Sequence, residues 1–340
     1  MSKIGIWWRK QRFKLLTIGV CVYLILLVGV LLVWAFSPQQ EGMFALVEIF
    51  LPYLFLPLVF MVPFLFWRFT VLLRIIFVLG VILFGVCFPP RLGDRGSANG
   101  SVGEVTALTW NMLGSNERSG YVRQLLNSKE PGIVVLQETE WEGIDLADDI
   151  LRQYPYHVYR PREGAPPGEV ILSKYPIKEY GVIQADSTRV IWDIPRVLWV
   201  RLDVGQGRTL LVVNAHPISA YRTVYGCIFC PERRDRQITA LHEFLQPLIT
   251  RGEQILLLGD MNTTDREPAY RELSANLKDT HLLVGNGNGH SWGIMGLNRY
   301  WSLLRIDYIF VTPNIRPLSL DTDCSSRGSD HCVLMGHFAL

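Results

Sequence analysis

The apolar run 255–258 stops at Gly259 and is followed by Asp260-Met261-Asn262-Thr263-Thr264, which offers a carboxylate, a carboxamide and two hydroxyls within five residues. A continuous apolar run of this length reads as a strand buried on both faces. Polar side chains at its end stand where α/β sheets present chemistry, outside the carboxyl ends of their strands. The same stretch also fits a helix start, with Thr264 or Asp265 as N-cap. The pattern recurs along the chain. Run 105–110 ends at Asn111, run 133–136 at Gln137-Glu138, and run 209–213 at Asn214-Ala215-His216. Asp307 lies near the start of run 306–311, and Ser329-Asp330-His331 precedes run 332–335. One such residue is a weak signal. A series in which successive apolar runs each begin or end in a metal- or proton-competent side chain argues against purely structural roles. Carboxylates and carboxamides suit a hard divalent cation, and imidazoles and carboxylates suit proton transfer.

The elements that must hold these residues are mostly short strands. Val170-Ile171-Leu172-Ser173 is one, with Glu169 just before it, and residues 197–203 alternate before a turn at Gly205-Gln206-Gly207. Helical spacing covers 121–128, stopped by Pro131-Gly132, and 232–249, where Pro247 stands ready to end the helix early. Many strands, few long helices and no internal repeat give an α/β domain with more strand than a nucleotide-binding sheet has. Arg233, Arg234 and Arg236 open the long helix, where the helix dipole does not favour cations. They fit either an anionic partner or a solvated face.

The chain's 340 residues are 49% hydrophobic, and the excess lies in residues 1–90. Three uncharged or nearly uncharged runs, about 15–36, 44–67 and 71–88, have the length of membrane helices. The second carries Pro52, Pro57 and Pro63, which are tolerated in membrane helices and kink them. The expected organisation is a three-helix anchor over 1–90, a Gly/Ser/Asn-rich linker over 91–103 and a globular domain over 104–340. Lys3, Arg9, Lys10, Arg12 and Lys14 precede the first run, and Arg68 and Arg74 flank the turn between the second and third. The positive-inside rule then places the N-terminus in the cytoplasm and the globular domain on the outer face of the cell membrane. Trp7, Trp8, Trp34 and Trp67 sit where interfacial aromatics would. Residues 91–340 hold 26 basic and 29 acidic residues, so the domain lacks the overall basic signature of a nucleic-acid binder, although a local groove can still be basic. Of six cysteines, Cys21 and Cys87 fall inside apolar runs. Cys227, Cys230, Cys324 and Cys332 make an even set that fits two disulfides outside the cytoplasm, with Cys227–Cys230 and Cys324–Cys332 as the pairs. The Cys227-Ile-Phe-Cys230 spacing is also that of half a zinc site, but no second pair has matching spacing.

The ordered set Thr109-Trp110-Asn111, Leu136-Gln137-Glu138, Asn214-Ala215-His216, Gly259-Asp260-Met261-Asn262, Arg305-Ile306-Asp307-Tyr308 and Ser329-Asp330-His331 resembles the endonuclease/exonuclease/phosphatase superfamily across 104–340. That resemblance implies a four-layer sandwich, two mixed β-sheets face to face with helices outside. It also implies a Mg²⁺-dependent phosphoesterase (Mn²⁺ as possible substitute) with Asn111 and Glu138 as primary metal ligands. In the implied roles, Asp260 takes a proton from the attacking water and Asn262 holds that water or a phosphoryl oxygen. His331 donates to the phosphoryl oxygens with Asp307 as its partner, and His216 serves the leaving oxygen with Glu169 behind it. Asp330 points away from His331 if 329–334 is extended, and then serves the metal side. Arg196 and Asn214 are expected at the substrate; for Arg196 a surface salt bridge fits equally. His216 departs from abasic-site endonucleases, and the extended signatures of inositol-polyphosphate phosphatases are missing. Residues 219–231, aromatic and bordering His216, read as a specificity loop. A membrane tether favours a phospholipid or lipid-linked phosphodiester, the His216–Glu169 pairing favours an extracytoplasmic DNA or RNA nuclease, and a non-catalytic sensor or scaffold would require the set of site residues to be incomplete.

Overall fold

Along the strand Glu104–Asn111 (β1), Val105 and Ala107 enter one apolar cluster while Leu108 and Trp110 enter another. The same period-two alternation sorts the other strands: Ile133–Gln137 (β2), Tyr156–Val158 (β3), Val170–Ser173 (β4), Ile177–Val182 (β5), Arg196–Asp203 (β6), Thr209–His216 (β7) and Ile255–Asp260 (β8). After these come Lys278–Asp279 (β9), Trp292–Gly293 (β10), Ser302–Leu304 (β11), Asp307–Val311 (β12), Arg316–Asp323 (β13) and Val333–Ala339 (β14). The computed structural model describes residues 3–38, 42–65, 71–89, 103–114, 119–139, 148–159, 168–184, 193–221, 229–294, 297, 300–325 and 328–340. The linker up to residue 102, Cys227 with most of the 219–231 loop, and residues 66–67 of the second apolar run lie outside them.

Two six-stranded sheets result, in the orders β13-β14-β1-β2-β4-β3 and β5-β6-β7-β8-β12-β9. Both are mixed, because β1–β2 and β7–β8 are parallel pairs among antiparallel neighbours. One apolar cluster draws Val105, Ile133, Val212, Leu258, Ile309 and Phe338 from both sheets and is the seam between them. A second lies between the first sheet and the helix Ser119–Lys129, through Val122, Leu125 and Leu126. A third lies between the second sheet and the helices Glu232–Thr250 and Pro268–Ser274. Helix, sheet, sheet, helix is the expected order of layers. Pro247 does not stop its helix early: the helix runs on to Thr250, giving up the one hydrogen bond that Pro247 has no N–H to donate. The turn after Asp260 differs from the helix start anticipated at Thr264 or Asp265. The next helix begins at Pro268, with Glu267 at its N-cap position.

The chain divides into two compact units, Met1–Pro90 and Arg91–Leu340. In the first, the helix Lys3–Phe36 contains a 23-residue segment, Lys14–Phe36, with mean hydropathy 2.9, long and apolar enough to cross a membrane. The second expected span is broken. Gly42–Ile49 and Leu51–Val62 meet at 74°, and the second segment opens with a 3₁₀ turn, Leu51–Phe55, where Pro52 withholds its amide. The third, Val71–Cys87, has 17 residues, about 26 Å of helix against a hydrocarbon core of about 30 Å. Among the described residues the expected three spans therefore become one helix that meets the length and composition of a span, or two if the bent pair is one span.

Candidate active site

Strand phase decides which side chains reach the seam. In β7, Leu210 and Val212 face it, and Asn214 and His216 continue that face. In β8, Leu256 and Leu258 put Asp260 there; in β12, Ile309 and Val311 put Asp307 there. Asn111 and Gln137 follow the inward residues of β1 and β2. The ends of both sheets thus deliver polar groups to one edge of the sandwich. Closure at that edge depends on Gly259 (φ +139°): a Cβ there would lie 2.1 Å from the Ala215 carbonyl oxygen, so only glycine lets β7 and β8 approach where His216 and Asp260 emerge. Glu138 and Asn262, just past the ends of β2 and β8, both take left-handed backbone at φ +49°, a conformation that costs non-glycine residues about 1–3 kcal/mol and concentrates at functional sites.

Asp260 is the hub. Its Oδ2 lies 3.7 Å from His216 Nε2 and 3.8 Å from His331 Nε2, and accepts from Asn111 Nδ2 at 3.0 Å. Its Oδ1 accepts the Asn262 amide at 2.9 Å. Each imidazole is backed by a second carboxylate. His331 Nδ1 sits 2.9 Å from Asp307 Oδ2, and His216 Nδ1 sits 3.4 Å from Glu169 Oε1. Glu138 Oε1 approaches His216 Nε2 at 3.4 Å and accepts from Asn111 Nδ2 at 3.1 Å.

Burial disfavours charge on both imidazoles, yet the carboxylates prevail. Asp307 and Asp260 hold His331 up to about 10, and Glu138 and Glu169 hold His216 up to about 9. Burial opposes ionisation of Glu138 too, but His216 and Asn111 bring it down to about 2. Asp260 is pushed up by burial, with His331 opposing and Asp307 adding to the rise. Burial likewise raises Glu169, against the pull of His216.

Two sets of side chains, Glu138-His216-Asp260 and Asp260-Asp307-His331, bring ligand atoms within 4.8 Å of one another. His216 and His331 already have carboxylate partners, so the oxygen-rich corner is Glu138 with Asp260. Asn111 stands between them with its Nδ2 toward both carboxylates and its Oδ1 accepting the Leu113 amide at 3.0 Å. Turning that amide over would place a third oxygen in the corner. The donor set fits a hard divalent ion, with Glu138 and a reoriented Asn111 as the residues that would hold it and Asp260 beside them.

Other expected site residues are placed differently. Asn214 is fully buried; its Oδ1 accepts from Gln137 Nε2 at 2.8 Å and its Nδ2 donates to the Leu136 carbonyl at 2.9 Å. It braces the two sheets and is not free to meet a substrate. Asp330 does not turn away from His331: its Oδ1 lies 3.9 Å from His331 Nε2 and its Oδ2 accepts from Trp292 Nε1 at 2.9 Å. The alternation assumed for 329–334 fails because Ser329 Oγ accepts the His331 amide, folding the segment into a turn. Arg196 is exposed, opposite His216 in the β6–β7 register. Arg234 is buried against Asp235 and Glu267, and it donates to the Asn262 carbonyl at 2.8 Å, so it supports the Asp260 turn. Arg236 is the solvated one, paired with Asp193 and Glu232. Ser291 carried no sequence signal. It donates to Asp307 Oδ2 at 2.6 Å while accepting the Ile306 and Asp307 amides at 3.2 and 3.0 Å.

A two-sheet sandwich whose edge gathers a carboxylate between two carboxylate-backed imidazoles, beside an oxygen corner for a divalent ion, defines a metal-dependent hydrolase. The chain belongs to the Endonuclease/Exonuclease/phosphatase family, whose sequence model matches residues 108–331. No curated protein matches it. Among solved structures, the catalytic domain of human Nocturnin with a bound sulfate anion superposes with a TM-score of 0.54 at 18% identity, covering 69% of this chain and 94% of that one. The mannosyl-6-phosphatase of Bacteroides thetaiotaomicron VPI-5482 gives 0.52 at 16% identity, with 69% and 100% covered. Humanized D. rerio TDP2 gives 0.51 at 17%, with 70% and 99% covered. Likeness at such identities shows the shared fold.

Proposed function

We propose that this hydrolase cleaves a phosphodiester presented at a lipid surface, a phospholipid or lipid-linked ester, outside the cytoplasm. The observation that carries the substrate class is the β10–β11 hairpin. Ile294, Leu297, Tyr300 and Trp301 are exposed on it, the last two at 73% and 63%. The base of the hairpin pairs with His331 through Trp292. An apolar tip joined to the reacting edge suits a substrate whose ester lies at the boundary of a bilayer. The segment Lys14–Phe36 supports this reading as a membrane anchor; the basic residues before it favour a cytoplasmic N-terminus.

A divalent ion such as Mg²⁺, held by Glu138 and a turned Asn111, would supply positive charge against the phosphoryl oxygens. Asp260 accepts the proton of the attacking water, and burial makes it a stronger base than an exposed carboxylate. Asn262 fixes Asp260 through its amide N–H. Its Nδ2 donates to the Pro217 carbonyl at 2.9 Å, and the second hydrogen on that nitrogen is available to the water or a phosphoryl oxygen. His331, held charged by Asp307, donates to the phosphoryl oxygens as negative charge builds. His216 protonates the leaving oxygen, with Glu169 fixing its ring. Arg196, at the rim, receives an anionic substrate. Asp330 holds Trp292 in place and adds negative charge beside His331.

The His216–Glu169 pairing favours a second reading, hydrolysis of DNA or RNA. One comparison separates them: full-length protein in detergent with Mg²⁺, assayed on phospholipid in mixed micelles and on DNA and RNA, beside Asp260→Asn and His331→Ala. The lipid reading expects turnover of the micellar substrate that both substitutions reduce by about 10²–10⁴-fold. Turnover confined to nucleic acid and falling steeply with salt would establish the nuclease, and unchanged turnover in both variants would refute the site.

A further inference from the structure

The segment that carries His331 is closed by a disulfide. β13 ends at Asp323 and β14 starts at Val333, and between them Cys324 and Cys332 are joined, with Cα atoms 4.2 Å apart. Cys332 directly follows His331. The sulfurs rest on the hairpin base: Ser302 Oγ is 3.4 Å from each, and the His290 carbonyl oxygen is 3.8 Å from Cys324 Sγ and 3.9 Å from Cys332 Sγ. The Cys332 amide donates to the Ser291 carbonyl at 2.7 Å. The neighbours of these contacts are the residues that orient the charged imidazole. Ser291 fixes Asp307, Trp292 fixes Asp330, and Ser329, whose Oγ accepts the His331 amide, donates to the Asn111 carbonyl at 2.7 Å.

We infer that the Cys324–Cys332 bridge is a positioning device for His331, so that the activity depends on the oxidation state of these two thiols. The inference rests on the role proposed above for His331. His331 is tied through its backbone to Ser329 on one side and through Cys332 to the disulfide on the other; its ring is tied to Asp307. Opening the bridge removes the covalent tie next to the reacting imidazole and leaves hydrogen bonds as the backbone restraints: Ser329 Oγ, the Ser291 carbonyl, and the Gly293 amide, which donates to the Asp330 carbonyl at 3.1 Å. A displacement of about 1 Å at a group that must align with a reacting phosphate costs about 10- to 100-fold in rate. A dithiol reductant supplies the electrons: the S–S bond breaks, two cysteine thiols form, and the reductant closes to its own disulfide, two electrons and two protons having passed between them. One consequence is that the chain reaches full activity only in an oxidising compartment.

The test uses full-length protein in detergent, Mg²⁺ and bis(p-nitrophenyl) phosphate. Wild type before and after dithiothreitol is compared with Cys324→Ser/Cys332→Ser and with His331→Ala. The expected result is a fall in kcat of tenfold or more on reduction, KM within twofold, a lower alkaline limit of the kcat–pH profile, and recovery on reoxidation. The double variant should start at the reduced value and be indifferent to dithiothreitol, which separates this bridge from Cys227 and Cys230. If the double variant does not fold, the reduced wild type decides. Unchanged kcat and alkaline limit after reduction, with His331→Ala inactive, overturn the inference while leaving the site intact. A loss that tracks collapse of the near-ultraviolet circular dichroism assigns the bridge to stability alone and also overturns it. Full activity in His331→Ala overturns the site reading, and the role of the bridge with it.

Discussion

Asp307→Asn is the substitution that most directly tests the charged imidazole. His331 is held at about 10 against an ordinary value of 6.5, a rise worth about 5 kcal/mol at about 1.4 kcal/mol per unit. Asp307 is the largest contributor opposing burial, through both its charge and its contact at 2.9 Å. With Asp307 neutralised, burial is opposed chiefly by Asp260, and His331 moves down from about 10 toward its ordinary value. Asparagine keeps an oxygen that can accept from Nδ1, and the Ser291 hydroxyl stays near, so the geometry is nearly preserved while the charge is lost. The kcat–pH profile of the full-length protein with saturating Mg²⁺ and bis(p-nitrophenyl) phosphate should keep its acid limb and lose its alkaline limb at lower pH than the wild type. The fall relative to wild type should be small near neutral pH and grow toward pH 9 to 10, about tenfold for each unit by which the limb has moved. An alkaline limb that stays in place would refute the assignment of His331 as the proton-bearing group under Asp307.

Other outcomes follow from the same geometry. Mg²⁺ at a hundredfold excess over its Kd should stabilise the wild type by about 2.7 kcal/mol; thermal unfolding of Glu138→Gln should show little of that gain, and an undiminished gain would move the metal away from Glu138. Gly259→Ala forces a Cβ to 2.1 Å from the Ala215 carbonyl and should cost more than about 2 kcal/mol in urea denaturation together with most of the activity; near wild-type values would show that β7 and β8 can part without harm. His331 and His216 are raised from 6.5 to about 10 and about 9, so their contribution to stability is fully present below pH 6.5 and lost as pH rises through 9 to 10. Glu138, lowered from 4.5 to about 2, contributes above pH 4.5 and is lost as pH falls toward 2. The urea midpoint of metal-free protein should therefore fall on both sides of that range, and a midpoint constant from pH 6 to 10 would contradict the raised imidazoles.

The amino-acid sequence by itself determined the central strands and the side chains at their ends. Runs such as 133–136 and 255–258 are apolar at every position because both faces are buried, and that pattern is visible without a fold. Asn111, Glu138, His216, Asp260 and Asp307 stood out because metal- or proton-competent side chains recur at the ends or starts of successive runs. Edge strands were not legible: β5 is half exposed and β13 contains Pro317, so neither alternates cleanly. Only tertiary structure could turn Asn214 into a brace between sheets, since its partner Gln137 lies 77 residues away. It alone set Asp330 beside His331, because a side-chain bond from Ser329 overrides strand alternation, and it alone buried Arg234 beneath Asn262. Ser291 was invisible for the same reason, as a serine next to a two-residue strand acquires meaning only when folding brings it 2.6 Å from Asp307. In the N-terminal unit, composition marked three apolar runs, while backbone geometry decided which could span: a proline-bearing turn bends the second and 17 residues leave the third short. Hydrophobicity is a property of residues and can be read from them; alignment of groups far apart in the chain is a property of the closed sandwich.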